Sequence, residues 1–237
     1  RQGMLTDYPG ATLLQAKGSR LRLVMETDGS LSLIASKKSN VRNPDGLKGK
    51  NISVSGNTFV EYATDEVMKR ACLHPGEVNK PEINNIPLRL MMLEDGQISA
   101  SFLPGPATAI ALNDGHTALL NTRQMGLHCT GIVFSEKAIT EKDEEIRRFI
   151  TGYNLGVKYL QTHPQNEWTE ILVKEFGLQE KAAMQIDLPD YRPATRPSYH
   201  DIEKIIAWLK SKGAIPDYYP GENLVDTTFI PGTLKPQ

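Results

Sequence analysis

The chain has 237 residues, a length that suits one large domain or two small lobes. Its 27 basic and 28 acidic residues almost cancel, so a non-specific nucleic-acid binder with a basic face is disfavoured. No apolar run approaches the length needed to cross a bilayer.

The first half of the chain alternates short apolar runs typical of strands with helix-like segments. The predicted strands are 4–6, 21–25, 31–35, 52–54, 82–86 and 98–103. The predicted helices are 11–17, 60–71, 88–94 and 107–112. Repeated strand–helix units of this length predict parallel sheets with helices on both faces.

Beyond residue 126 the chain becomes mainly helical. One more strand is predicted at 128–134, and a helix after residue 140 has an apolar stripe at helical spacing. Further helices are predicted to start at Pro164, to cover 181–186 and to follow Ser198, whose hydroxyl can cap a helix. The final segment, 216–237, reads as irregular surface chain.

Three turns between a predicted strand and a predicted helix are rich in small or turn-forming residues. They are 7–10, 55–58 and 103–106. Ligands of open α/β sheets bind outside the carboxyl ends of the strands, where such turns lie. The first backbone N–H groups of a helix have no internal partner and lie at the positive end of its dipole, which suits a polar or anionic ligand. For any one turn taken alone, an ordinary connection is the better explanation, and three in succession raise the site hypothesis only modestly.

Residues for catalysis or metal binding do not stand out. Cys72 and Cys129 are expected to be buried free thiols, although a single disulfide is an alternative. The five histidines show no metal-ligand spacing, and no nucleophile elbow, P-loop or Rossmann fingerprint is present. We therefore predict no catalytic residue, no metal and no cofactor.

Two segments are similar to a known family. Residues 43–54, NPDGLKGKNISV, resemble the "dLkGKkIaV" segment of the periplasmic-type solute-binding proteins of ABC importers. Residues 96–106, GQISASFLPGP, resemble the later "GqiDAa.lpeP" segment of the same family, with Ser99 and Gly105 in place of its acidic residues. The similarity runs from about Met4 to near Leu160 and indicates the nitrate/sulfonate/taurine/thiamine-pyrimidine branch.

The resemblance implies an α/β, two-lobed periplasmic-binding-protein type 2 fold. Each lobe would be a mostly parallel sheet flanked by helices, with a helical C-terminal part. Lobe 1 would comprise 1–34 and 133–237, and lobe 2 would comprise 35–132, with crossover strands at 31–35 and 129–134. The first part of lobe 1 in family members would precede residue 1 of this chain.

The implied function is that of a solute-binding protein. It would capture a small polar or anionic organic molecule between its lobes and deliver it to an ABC permease, as a monomer without enzymatic activity. Its location would be the periplasm or, through a lipid anchor, the outer face of the cell membrane. The family positions that line the cleft correspond here to Asp7, Tyr8, Gly29, Ser30, Asn57, Thr58, Phe59, Leu103, Pro104 and Gly105.

Several of these residues have a structural alternative. Asn57 and Thr58 would also be explained as helix caps. Asp7 could bind a ligand amine or close an Asx-turn before Pro9. Tyr8 could stack on a ligand ring or pack within its own lobe. Arg89 is predicted to form a surface or interlobe salt bridge rather than an anion clamp.

Two other classes of function remain open. One is an enzyme on the same fold, of thiamine-pyrimidine or menaquinone type, although the cysteine-rich motif of the pyrimidine synthases is absent. The other is the effector domain of a transcription regulator, which would need a DNA-binding helical segment upstream.

Overall fold

The computed structural model describes residues 2–184, 186, 188 and 190–230, without the side chains of residues 176 and 182. The chain divides into two compact units. Unit 1 comprises Arg1–Gly29, His128–Thr162 and Asp190–Gln237, and unit 2 comprises Ser30–Leu127 and His163–Pro189. Among the described residues, no helix combines the length and apolar character needed to span a membrane.

Strands and helices alternate through the first half of the chain. The strands are β1 (Gly3–Asp7), β2 (Leu21–Thr27), β3 (Leu31–Ala35), β4 (Ile52–Ser53), β5 (Ala100–Pro104), β6 (Thr117–Asn121) and β7 (Thr130–Ser135). The α-helices are α1 (Tyr8–Ala16), α2 (Phe59–Arg70), α3 (Ile86–Asp95), α4 (Gly105–Asn113), α5 (Glu136–Glu141), α6 (Asp143–Thr162), α7 (Gln165–Phe176), α8 (Glu180–Met184) and α9 (Tyr199–Ser211). A short 3₁₀ helix covers Pro44–Leu47.

The sheet of unit 1 has the strand order β1-β7-β2. Because β7 is antiparallel to both neighbours, β1 and β2 run in the same direction. Asp7 at the end of β1 and Thr27 at the end of β2 both pair with Thr130. We call the place where these three residues meet the unit 1 edge.

The sheet of unit 2 has the strand order β4-β5-β3-β6. Strands β4 and β5 are parallel, with Ile52 opposite Ala100 and Ser53 opposite Ser101. Strand β4 leads through the turn 55–58 into α2, and β5 leads directly into α4. Both helices therefore start at the carboxyl ends of two adjacent strands, which we call the unit 2 edge.

The prediction of mostly parallel sheets is wrong. Among the described strand pairs, β4–β5 is parallel, whereas β1–β7, β2–β7, β3–β5 and β3–β6 are antiparallel. Strands β7 and β3 lie between strands that run in the opposite direction. Alternation of strands and helices along the chain does not reveal such an inserted strand, because strand order is a long-range property.

Proline in the first turn of a helix caused two other errors. The predicted strand 82–86 is only a single bridge between Glu82 and Val54, and α3 begins at Ile86 with Pro87 in its first turn. Helix α1 likewise includes Pro9, although 7–10 was predicted as a turn. Proline is favoured there because the first N–H groups of a helix have no internal acceptor. A residue without an N–H therefore loses no helical hydrogen bond at this position. Strand β6 was not predicted.

The compact units also differ from the predicted lobe bounds. They divide between residues 29 and 30 and between 127 and 128, and residues 163–189, predicted in lobe 1, belong to unit 2. In that segment α8 packs on α4, and Arg123 Nη1 donates to Leu188 O at 3.5 Å. Of the predicted crossover strands, β3 lies in the sheet of unit 2 and β7 in the sheet of unit 1.

Both cysteines are free thiols, but only Cys129 is buried. Cys72 is exposed because it lies just beyond the end of α2, where its φ of 53° is in the left-handed region. Ser198 caps α9 as predicted, since its side chain accepts a hydrogen bond from Asp201 N–H.

A buried histidine joins three elements of unit 2. His116, before β6, has a side chain only 1% exposed. Its Nδ1 accepts from Lys37 N–H at 3.1 Å, and its Nε2 lies 3.3 Å from Glu94 Oε2 at the end of α3. Burial lowers the pKa of His116 below the usual histidine value.

We expect this histidine to make unit 2 sensitive to mild acid. The unfolded chain takes up the proton at a higher pH than the folded chain, so its stabilising contribution is complete above the ordinary histidine pKa and is lost as the pH falls below it. One proton gives a slope of at most about 1.4 kcal/mol per pH unit. Urea denaturation between pH 7 and 5 should show a smaller slope for His116→Asn, which keeps an acceptor near Lys37 N–H. Equal slopes for the parent protein and His116→Asn would contradict this role of His116.

Candidate functional site

The backbone N–H groups at the start of α2, at the unit 2 edge, are largely hydrogen-bonded within the chain itself. Thr58 is the N-cap, since its Oγ1 accepts from Val60 N–H at 3.2 Å and donates to Ser55 O at 2.7 Å. Asn57 has a left-handed φ of 56°, and its N–H donates to Glu61 Oε2 at 2.7 Å. The capping role of Thr58 is thus observed. These donors are only partly available to an anion.

The start of α4, at the same edge, is more open. Pro104 is its N-cap, and no side chain among the described residues caps it. A Cβ added to Gly105 would have no heavy atom within 4 Å. Thr108 Oγ1 is occupied as a donor to Leu103 O at 3.1 Å. The first backbone N–H groups of α4 can therefore donate to an acceptor group of a ligand.

A buried cation lies behind this edge. Arg89 in α3 is 2% exposed, and its Nε and Nη1 donate to Ile83 O at 2.6 Å and Phe102 O at 3.3 Å. Burial lowers the pKa of Arg89, but a guanidinium stays charged at any physiological pH. The predicted surface or interlobe salt bridge is wrong, because the described part of the structure shows Arg89 buried and bound to carbonyl groups. Its positive charge therefore lies beside the Phe102 carbonyl of β5, the strand that leads into α4.

A carboxylate covers the turn before α2. Glu82 is exposed and reaches this position because it bridges to Val54 beside β4. Its Oε1 accepts from Asn84 Nδ2 at 3.1 Å, and Asn84 Oδ1 accepts from Ser55 Oγ at 2.6 Å. A Cβ on Gly56 would be 2.8 Å from Glu82 Oε1, so the carboxylate lies directly over the backbone of this glycine. The sequence analysis missed Glu82 and Asn84, because only the long-range bridge places them here.

The remaining predicted residues of unit 2 divide into two groups. Phe59 and Leu103 are buried, so they support the edge from the interior. Ser30 and Pro104 are half-buried, and Ser30 directly precedes Leu31, which pairs with Pro104. The structure therefore brings Ser30 together with the start of α4.

In unit 1, Asp7 and Gly29 both lie next to Thr130. Asp7 caps α1, and its Oδ1 accepts from Gly10 N–H at 2.7 Å. A Cβ on Gly29 would be 2.7 Å from Thr130 Oγ1, so the backbone of residue 29 lies directly against the Thr130 side chain. The structural alternative for Asp7, a local turn, is thus present in the structure.

Tyr8 is an interior residue of unit 1. Its side chain is 0% exposed, and its hydroxyl donates to Glu26 Oε2 at 3.0 Å. Burial and the Glu26 charge raise the pKa of Tyr8. Because no face of its ring is exposed, Tyr8 packs within its own unit, which is the structural alternative given for it in the sequence analysis.

Glu26 belongs to an ionic network that the sequence analysis missed. Arg192 Nη2 lies 2.8 Å from Glu26 Oε1, and its Nε lies 2.7 Å from Asp28 Oδ1. The backbone N–H of Arg192 donates to Asp28 Oδ2 at 2.8 Å. Burial raises the pKa of the nearby Tyr153 to about 12, and its buried hydroxyl has no hydrogen-bond partner in the described part of the chain.

Glu26 and Asp28 also come close to a histidine. Ligand atoms of Glu26, Asp28 and His128 lie within 4.8 Å of one another, a donor set suited to a divalent metal. Each carboxylate oxygen already accepts a hydrogen bond from Arg192 or Tyr8. The arrangement is therefore an internal ion pair, and a metal would have to displace Arg192.

The comparisons with known proteins agree on one fold. The model of the family described as NMT1/THI5 like matches residues 7–167. No curated protein matches the chain at a significant level.

Solved structures extend the likeness over nearly the whole chain. The ligand-binding component of an ABC-type import system from Staphylococcus aureus, with zinc bound, has a TM-score of 0.78 at 14% identity and covers 96% of this chain and 79% of its own. The alkanesulfonate-binding protein SsuA from Xanthomonas axonopodis pv. citri, bound to MOPS, has a TM-score of 0.76 at 16% identity, with 91% and 76% covered. The desulfurization enzyme DszB has a TM-score of 0.66 at 12% identity, with 96% and 83% covered. By its family model the chain belongs to the NMT1/THI5-like family, and its fold is the two-lobed α/β fold of type 2 periplasmic binding proteins.

Proposed function

We propose that this chain is a solute-binding protein that captures a small polar organic molecule and delivers it to an ABC permease. The observation that carries this proposal is the start of α4 at the unit 2 edge, which has no side-chain cap among the described residues. The similar structures from an ABC-type import system and of SsuA support it. The protein would act as a monomer in the periplasm or anchored by lipid to the outer face of the cell membrane.

The unit 2 edge suits a ligand with a hydrogen-bond acceptor. Backbone N–H groups at a helix start and a desolvated guanidinium both favour a negative or strongly polar group. We propose that the half-buried residues of the predicted set contact the ligand, while Tyr8, Phe59 and Leu103 hold them in place. The proposed contact residues are Asp7, Gly29, Ser30, Asn57, Thr58, Pro104 and Gly105.

A ligand screen tests this proposal directly. We expect at least one class among taurine, alkanesulfonates, nitrate, pyrimidines and amino acids to raise the melting temperature. A ligand at a hundred times its Kd stabilises by about 2.7 kcal/mol, which is readily measured. Gly105→Leu should weaken binding by about tenfold or more, roughly 1.4 kcal/mol, because the added side chain covers the start of α4.

Gly152→Leu is the matched control, since a Cβ there also meets no heavy atom within 4 Å, but on α6 of unit 1. Its affinity should equal that of the parent. A panel without any hit at millimolar concentration would contradict the proposed function. A hit unaffected by Gly105→Leu would instead contradict the assignment of the site.

The likeness to DszB makes turnover of the ligand a second candidate function. A thiol lies beside the unit 1 edge at Cys129, whose backbone carbonyl accepts from Tyr8 N–H. Burial raises the pKa of the Cys129 thiol well above its usual value, so the thiol stays protonated and weakly nucleophilic at neutral pH. We expect mass spectrometry to recover a bound ligand unchanged. A product of altered mass would favour the enzyme.

A further inference from the structure

The guanidinium of Arg89 is buried in unit 2 without a counter-ion. Arg89 is 2% exposed, and its acceptors among the described residues are two neutral carbonyl groups, Ile83 O at 2.6 Å and Phe102 O at 3.3 Å. A guanidinium carries five N–H groups, and those of Nη2 have no acceptor in the described part of the chain. Burying a charge is costly unless an opposite charge accompanies it. A negative charge beside Arg89 would therefore stabilise unit 2.

The two hydrogen bonds of Arg89 place its guanidinium across the end of β4. Ile83 lies on one side of this strand, because its N–H donates to Val54 O directly after β4. Phe102 lies on the other side, in the parallel neighbour β5. A guanidinium that donates to the carbonyl groups of both residues passes over the backbone between them. The charge of Arg89 thus lies over the end of β4, on the face of the sheet that α3 covers.

The side chain of Ser53 in β4 lies on the same face of the sheet. Ser53 pairs in register with Ser101, which pairs with Ile34, and Ile34 packs in one apolar cluster with Leu93 of α3. Residues paired in register point to the same face of a sheet. Ser53 is 0% exposed, and its Oγ has no hydrogen-bond partner in the part of the chain that the structure describes. An unpartnered buried hydroxyl therefore lies on the face of β4 that Arg89 spans.

The unfilled groups on this face are donors, which decides the kind of occupant that suits them. The free N–H groups of Arg89 can only donate, and the Ser53 hydroxyl brings one O–H. A water molecule would accept from both, but its own two hydrogens would then face apolar side chains such as Ile34 and Leu103. An anion accepts from both and supplies the missing negative charge. A small inorganic anion suits the position better than an organic acid, because both side chains are almost completely buried.

We propose that unit 2 binds a small inorganic anion, of the size of chloride, between the guanidinium of Arg89 and Ser53 Oγ. The anion neutralises Arg89 and joins α3 to β4 in the interior of the unit. Both residues belong to one compact unit, and the inference is independent of the proposed solute-binding function.

Thermal unfolding of the full chain in chloride and in gluconate tests this site. The two sodium salts are mixed at constant ionic strength, since gluconate is too large to enter the interior. Above its dissociation constant, each tenfold increase in chloride should raise the melting temperature by about 3–5 °C, because the ion binds the folded state alone. Bromide should act like chloride, and crystals grown in bromide should show its anomalous signal beside Ser53 Oγ.

The variant Ser53→Ala removes the hydroxyl from the site. Its affinity for chloride should fall about tenfold or more, the usual effect of losing one hydrogen bond to a charged group. In gluconate it should be as stable as the parent or more stable, because a buried hydroxyl without a partner has been removed. Ser36→Ala is the matched control, since Ser36 is also 0% exposed in unit 2, but its Oγ donates to Leu93 O at 2.6 Å. This control should lose the same stability in both salts and keep the chloride dependence of the parent.

Three results would overturn the inference. A melting temperature of the parent that does not change with chloride shows that no such anion binds the folded state. A chloride dependence that is unchanged in Ser53→Ala shows that the ion binds elsewhere. A loss of stability of Ser53→Ala in gluconate shows that the hydroxyl has another partner, such as an internal water molecule. None of these results bears on solute capture, which the ligand panel tests separately.

Discussion

Replacing Tyr8 by alanine should lower the free energy of unfolding by about 3–5 kcal/mol, the usual cost of removing a large aromatic side chain from a core. The ring is fully buried, and its Cε1 is 3.3 Å from the place that a Cβ on Gly131 would take. The surrounding strands cannot close this space, so a cavity remains. Urea denaturation followed by circular dichroism measures the loss.

The variant Tyr8→Phe measures the contribution of the hydroxyl to stability separately from that of the ring. It keeps the packing but leaves Glu26 Oε2 without its donor, and it should cost about 1–3 kcal/mol. Tyr218→Ala is the control, because this tyrosine is 87% exposed and should change stability by less than about 0.5 kcal/mol. A Tyr8→Ala protein as stable as the control would contradict the interior position of Tyr8.

Replacing Arg192 by alanine should destabilise unit 1 by about 2–3 kcal/mol. The change leaves two carboxylates without a cation, with side-chain exposures of 7% for Glu26 and 9% for Asp28. Breaking a fully buried pair costs about 3–5 kcal/mol, and we expect less because the Arg192 side chain is 47% exposed. Urea denaturation again provides the measurement.

A second substitution shows whether charge is the cause. Asp28→Asn introduced into Arg192→Ala should restore about 1 kcal/mol or more, because one uncompensated charge is removed. The control Arg148→Ala breaks an exposed pair with Glu144 on α6 and should cost no more than about 0.5 kcal/mol. Additive losses in the double variant would show that Arg192 acts through packing.

The features that sequence analysis predicted correctly are local. Thr58 and Ser198 cap α2 and α9 through hydrogen bonds to residues two or three positions ahead. The apolar runs of β2 and β3 were predicted within two residues of their observed bounds. Such interactions involve neighbours along the chain, so residue order alone reveals them.

The site residues that were missed depend on contacts distant in sequence. Glu82 reaches the start of α2 through a bridge to Val54, and Arg192 meets Asp28 across more than 160 positions. Arg89 is buried because α3 packs on β5, which no local pattern reveals. The order of the strands, including the inserted β3 and β7, likewise depends on contacts distant in sequence.

The amino-acid sequence by itself determined the alternation of strands and helices, the capped helix starts and the family segments around residues 43–54 and 96–106. Only the tertiary structure decided which of these starts is open to a ligand. The turn before α2 is covered by Glu61 and Glu82, whereas α4 starts without a side-chain cap. The physical reason is that a helix start becomes a binding site only if its donors stay unpaired, and pairing depends on which distant side chains the fold brings to it.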